Sequence, residues 1–378
     1  MTLTHKERGM SQGNLTRWDQ LRDLVQRGRD GNPIAIPVPF KRLKQDVDIA
    51  REMYYVVGGD TGTGKSAFTH FTFVLWPYMW WKTMVKKGET DIKLKIFIRS
   101  MERPFKFTAA KWAAIRIYMK YKVLVDPLKI LGRRRSQMAD EHYQMVAEAF
   151  DYFEDAEDVV ELIPGSVNPT GIFMQLKDWA NQNGKVITEG KYKKRYVPND
   201  PNLITLIIAD HVGKAKTERS SGQNSPMLTE KQTIDRLSDY IQEARDLWGF
   251  SGVAVQQFNR TIAAVDRRTK MDLTPELQDF LGTGNTLRDA DVVMSLFDPY
   301  QYQVAEWQQY KVGLMTDTFG INRFRGLSVL KNTYGASPFH TGMQFIGECG
   351  YWRQLLLPKD MTEGHYSEYA SLPNVKKL

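Results

Sequence analysis

Residues 56–68 read VVGGDTGTGKSAF, and no other stretch of the chain narrows the fold so far. Two valines end an apolar run, YYVVGG, that has the pattern of a buried strand. A glycine-rich turn follows, then a lysine, a serine and the start of a helical pattern. Strand, tight turn and helix in immediate succession belong to a sheet with helical crossovers. In that context residues 59–66 match the spacing G-x-x-x-x-G-K-S. Glycines let backbone N–H groups turn inward around phosphate oxygens, and the helix N-terminus adds its positive dipole. The pattern predicts a nucleoside-triphosphate loop of Gly59, Thr61, Gly62, Thr63, Gly64, Lys65, Ser66 and Ala67. Lys65 is expected to reach the outer phosphates, and Ser66 to hold Mg²⁺.

The same alternation continues downstream. LKIFIRS, LITLIIAD, GVAVQQ and ADVVMSLF are near-continuous apolar runs of the kind buried in a parallel sheet. Helical periodicity separates them at 108–120, 140–150, 170–182 and 229–247. Shorter alternating runs over 312–357 predict antiparallel strands. The expected class is α/β, with a mainly parallel central sheet, C-terminal antiparallel strands and a short N-terminal helical segment. The expected boundaries are 1–34 for that segment, 35–360 for the main domain and 361–378 for a tail.

Within the first segment, Leu15, Trp18, Leu21 and Val25 line one face of a helix over 15–27. That stripe needs a surface, on its own domain or on a neighbouring subunit. Residues 185–200 read as a basic, turn-rich insertion or hairpin, and 213–228 as a mobile loop. The basic runs Arg133–Arg134–Arg135 and KYKKRY suit a nucleic-acid backbone or a solvated face. Trp76, Trp80 and Trp81 suit core or subunit-contact packing.

Composition sets outer limits. The 378 residues carry a net charge of +8, which fits a polyanion partner or a plain basic surface. A single cysteine, Cys349, excludes a disulfide framework and a Cys-rich zinc site. The N-terminal residues lack an apolar signal region. The most apolar window, FTHFTFVLWPYMWW, is short and broken by Pro77. The expectation is a soluble intracellular protein with no membrane partner.

Charged and amide residues at strand ends complete the candidate site, because open α/β sheets place function there. Asp210 ends LITLIIAD and is the candidate metal acid. Glu102 follows LKIFIRS and is the candidate water-activating carboxylate. Gln256, Gln257, Asn259 and Arg260 end VAVQQFNR, where amides can sense a terminal phosphate.

Taken in order, the phosphate loop, RSMERP, LIIADHV, VAVQQFNR, QDFLGTGNTLRDADVVMSLF and VLKNTYG resemble the RecA-like motor domain of DnaB-type replicative helicases. The likeness runs over roughly residues 30–357. It implies ATP and Mg²⁺ as cofactors, and ATP hydrolysis at the subunit interfaces of a hexameric ring of identical chains. It implies single-stranded DNA as partner, with a primase or loader beside it, in the cytoplasm of a bacterium or a phage-infected host. By position, Glu102 resembles the catalytic base, Asp210 the Mg²⁺-ordering acid and Gln257 the γ-phosphate sensor. Lys331 resembles the basic residue that a neighbouring subunit inserts into the site. The family's Lys-x-Arg turn here reads Lys331, Asn332, Thr333, without the arginine. Arg323 and Arg325 are further candidates for that trans role. Gly282, Thr283 and Gly284 resemble the loop that touches DNA phosphates, with Lys214, Lys216 and Arg219 as charge donors. Two other readings stay open: a recombination or loader ATPase that binds single strands without unwinding, and a regulatory ATPase.

Overall fold

Apolar runs without a polar face must be covered on both sides, and that requirement organises the molecule. The structure is a computed structural model describing residues 17–100, 104–133, 137–165, 167–189, 193–222, 225–259, 267, 273–280, 284–372 and 376–377. Among them, nine strands form one sheet. They are β1 (Tyr54–Gly59), β2 (Lys93–Ser100), β3 (Val160–Pro164), β4 (Leu203–Asp210) and β5 (Ser251–Gln257), then β6 (Val292–Phe297), β7 (Phe324–Asn332), β8 (Phe339–Ile346) and β9 (Tyr351–Gln354). The spatial order is β9-β8-β7-β6-β1-β5-β4-β2-β3. Strands β6 to β3 in that order run parallel, and β7, β8 and β9 add antiparallel at the β6 edge. The mixed sheet is therefore the one expected, and each strand read from the sequence lies within a residue or two of its observed bounds.

Helices cover both faces. On one, the helix Lys65–His70 packs Phe68 into the core and continues through a π-turn, Phe71–Leu75, into Trp76–Lys87. Pro77 has no N–H to give the turn before it, and the wider π-turn accommodates that gap. Trp76 and Trp81 donate their indole N–H groups to the carbonyls of Pro37 and Ile92, at 2.7 and 2.9 Å. These tryptophans thus pack within their own chain. On the other face lie the helices Pro169–Asn183 and Glu230–Trp248. Thr229 and Gln232 close a reciprocal cap on the second of these, and Gly249 ends it in a left-handed conformation.

Three peripheral segments follow different rules. The basic insertion is a hairpin, Gly184–Glu189 against Lys193–Pro198, and its Lys191 and Tyr192 lie outside the described residues. The N-terminal helix spans Arg17–Arg29, anchored where Arg27 bridges Asp91 and Asn202. Its Trp18 and Val25 are 71% and 67% exposed, so the apolar stripe has no cover among the described residues, and Leu15 lies outside them. Residues 363–371, assigned above to a tail, form a helix that buries Tyr366 and Tyr369. No described helix is long and apolar enough to cross a membrane.

Candidate active site

The phosphate loop leaves β1 at the middle of the sheet, where its neighbours β6 and β5 both end beside it. Gly62 and Gly64 adopt left-handed φ values of +85° and +94°. Space and conformation both demand glycine at Gly64, because a Cβ there would lie 2.7 Å from the Trp352 ring. Trp352 stacks on Phe345, so the antiparallel strands form a wall behind the loop. The Asp60 carbonyl turns inward and accepts from Thr63 Oγ1 at 2.8 Å and Lys65 Nζ at 2.7 Å. The Asp60 carboxylate accepts from the Thr61 N–H at 2.7 Å and from the Tyr302 hydroxyl. Thr61 is exposed and Ala67 half-buried, both on the loop as expected.

Across the strand ends, Ser66 Oγ donates to Asp210 Oδ1 at 3.0 Å. Burial pushes the Asp210 carboxyl up; the His70 imidazole, then Ser66 and His211, outweigh it and hold it below its usual range. A hydroxyl and an ionised carboxylate are hard oxygen donors, the set that Mg²⁺ prefers. Lys65 is buried behind them, with its ammonium aimed into the loop. The loop, the lysine and the oxygen pair fit a nucleoside triphosphate with its metal.

Gln257 pairs in register with Gly59, so its amide stands level with the start of the loop. Beyond it, the Phe258 N–H donates to the Gly59 carbonyl at 3.1 Å and the Asn259 N–H to the Asp279 carbonyl at 2.6 Å. Phe258 and Phe280 meet edge to face, and Phe280 lies where a side chain of Gly58 would be, 2.1 Å from its Cβ position. Glu102 lies outside the described residues, two positions past Ser100, which pairs with Asp210. Arg260, Gly282 and Thr283 also lie outside them. Gly284 opens the short helix Gly284–Asp289.

The remaining cations divide. Arg323 is fully buried, with its guanidinium forked onto Glu348 at 2.6 and 2.7 Å and its Nε donating to the Ala370 carbonyl. Arg325 pairs with Asp298 at 3.1 Å and donates to two carbonyls, those of Asn322 and Phe324. Both sit at the phosphate-loop end of the sheet, since Gly326 pairs with Phe297 just past Gly59. Both guanidiniums are thus held by groups of their own chain. Internal carboxylates were the unseen competitor. Lys331 lies toward the opposite end, in register with Val293 and through it with Val56. Its ammonium donates to the carbonyls of Leu287 and Arg288 at 3.1 and 2.7 Å, closing the end of the short helix.

Residues 213–228 are held at several points along their length. Buried Glu218 accepts from Thr170 Oγ1 at 2.9 Å and Arg236 at 3.2 Å, and Leu228 N–H returns to the Glu218 carbonyl. Lys214 and Lys216 remain exposed on it, and Arg219 is held to the Ser225 carbonyl at 2.9 Å. Sequence reasoning missed His70 and Tyr302. His70 carried a signal, being four residues after Ser66 on one helix face. Tyr302 carried none, because it reaches the loop only through the folded β6 edge.

No protein-family model matches the chain, and no curated protein matches it in sequence. Solved structures do. One is the ATPase domain of a phage helicase, at a TM-score of 0.61 and 15% identity over 91% of this chain and 100% of that one. Another is a DnaB-like replicative helicase solved for its interactions with primase, at a TM-score of 0.60 and 16% identity over 91% of this chain and 68% of that one. At such identities the likeness is one of fold.

Proposed function

We propose that this chain, whose fold is that of DnaB-type helicase ATPase domains, is an ATP-driven motor on single-stranded DNA. The observation that carries the reading is Ser66 donating to Asp210 at 3.0 Å directly beside Lys65. It supports a complete cradle for a triphosphate and its metal, built from one chain.

Bound ATP and Mg²⁺ supply the scissile phosphoanhydride and neutralise charge on its phosphates. Residues of the chain do the rest. Backbone N–H groups of the loop and Lys65 hold and orient the phosphates. Ser66 and Asp210 fix the metal position. Glu102 takes the proton from attacking water. Lys331 of one subunit enters the site of the next, and its place away from its own loop supports that role. Gln257 senses the terminal phosphate, and Phe258 with Phe280 ties it to residues 281–285. There Gly282, Thr283 and Gly284 grip DNA phosphates, helped by Lys214, Lys216 and Arg219.

The assembly in this reading is a hexameric ring. The uncovered stripe of Trp18, Leu21 and Val25 supports a subunit contact. A primase or loader is the protein partner, and the cytoplasm of a bacterium or phage-infected cell the setting.

The test is ATPase activity with and without single-stranded DNA, at low and high salt, followed by unwinding of a forked duplex. Stimulation that fades with salt and disappears in Glu102→Gln, together with unwinding, is expected. Stimulation without unwinding means a strand-coating or loader ATPase. Hydrolysis indifferent to DNA means a regulatory ATPase.

A further inference from the structure

His70 is outside the loop pattern, yet the pattern fixes its place. It follows Ser66 by four residues on the same helix, so the two side chains leave one face a turn apart. That face looks onto the end of β4, and the two side chains divide the Asp210 carboxylate between them. Oδ1 accepts from Ser66 Oγ at 3.0 Å, and Oδ2 lies 3.5 Å from His70 Nε2. Asp210 is 8% exposed. The buried Nε2 has no hydrogen-bond partner among the described residues. At 3.5 Å no hydrogen bond is formed, and Oδ2 is the acceptor that a small approach would bring within reach of Nε2.

We propose that His70 is a positioning residue for Asp210: it engages Oδ2 and thereby turns Oδ1 toward Ser66 and the metal position beside it. This rests on the nucleotide-and-metal reading above and adds a residue to it. A carboxylate at a strand end can rotate about its last bond, and each rotation swaps the oxygen offered to a metal. A donor fixed on one oxygen removes that freedom before the metal arrives. Outer partners of metal-holding groups typically contribute about 10–100-fold to metal affinity. The role needs only a proton on Nε2, which the imidazolium and one neutral tautomer both provide.

The test uses the full chain with a non-hydrolysable ATP analogue and Mn²⁺, whose free and bound forms are separated by electron paramagnetic resonance. His70→Leu removes the donor, and His70→Gln restores an N–H near the same reach. The expected result is a Mn²⁺ dissociation constant about 10–100-fold higher in His70→Leu and largely restored in His70→Gln. Binding of a fluorescent ATP analogue in the presence of a chelator should be the same in all three proteins. An unchanged Mn²⁺ constant in His70→Leu overturns the proposal. Equal weakening in both variants also overturns it, because ring volume rather than the donor would then matter. Wild-type protein that binds neither analogue nor Mn²⁺ overturns the nucleotide reading itself, a result separate from the first two.

Discussion

β7 carries a cation at each end, Arg323 just before it and Lys331 near its finish, and the two have opposite surroundings. Arg323 is fully buried between Glu348 and Asp317, with both terminal nitrogens committed. Lys331 touches two helix carbonyls and, among the described residues, no carboxylate. Removing one partner of a buried ion pair costs about 3–5 kcal/mol, because the other charge is left behind. Releasing an ammonium from two carbonyls costs far less, since water replaces them. A cation that must serve a second molecule has to be cheap to release. Burial also holds the Lys331 ammonium below its ordinary pKa, against the pull of Asp291 and Asp289.

The contrast presumes a working site at the end of β1, and the largest expected effect tests that. Lys65→Ala should lower ATP turnover by about 10²–10³-fold or more, measured as phosphate release. Turnover near wild type would remove the ground for comparing the cations. Next comes Lys331→Met, expected to cut turnover by about 10²-fold with folding intact. Mixing it with Lys65→Ala should restore part of the activity, since each subunit supplies what its neighbour lacks. No recovery in the mixture would confine Lys331 to its helix-capping role. Arg323→Lys should do the reverse, losing roughly 1.5–3 kcal/mol of stability in urea while turnover per folded molecule holds.

Smaller effects follow on the surface loops. Lys214→Ser and Lys216→Ser should weaken single-strand binding and shallow its log–log salt dependence by about 0.7 for each phosphate that is no longer neutralised. An unchanged slope would take these lysines out of the DNA interface. The smallest effect concerns Asp298, the partner of Arg325. Burial raises its pKa above 3.8, with Arg325 opposing. Its contribution is therefore fully present below the unfolded value and lost as pH rises through the raised folded value. The stability of wild type relative to Asp298→Asn should fall as pH rises from below 3.8 through the raised folded value. A gap that widens over that range would mean that attraction to Arg325 outweighs the cost of burying the Asp298 charge.

The parallel half of the molecule was legible because its signals are local. YYVVGG and LITLIIAD are strands wherever both faces are covered, and the loop spacing declares its helix. Gln257 fell beside Gly59 because strand ends of a parallel sheet gather at one edge. What escaped depends on contacts distant in sequence. Glu348 claims Arg323 from 25 residues away, and Glu218 ties down its loop through Thr170 and Arg236. No window around Arg323 or residues 213–228 contains those partners, so these contacts could not be read from the sequence. His70 was within reach of helix geometry, but a lone histidine on a buried face reads as packing until Asp210 arrives from another strand.

One detail of the packing sets how closely Phe280 follows β1. Gly58 has no side chain, and the Phe280 ring rests directly on its backbone. Between strand and ring there is no side chain, so only the Phe280 torsions separate β1 from the backbone of residue 280. A shift of β1 at the level of Gly58 therefore bears on the Phe280 ring directly, as a shaft bears on a collar seated flush upon it. The seat of that ring then becomes a gauge of where β1 stands.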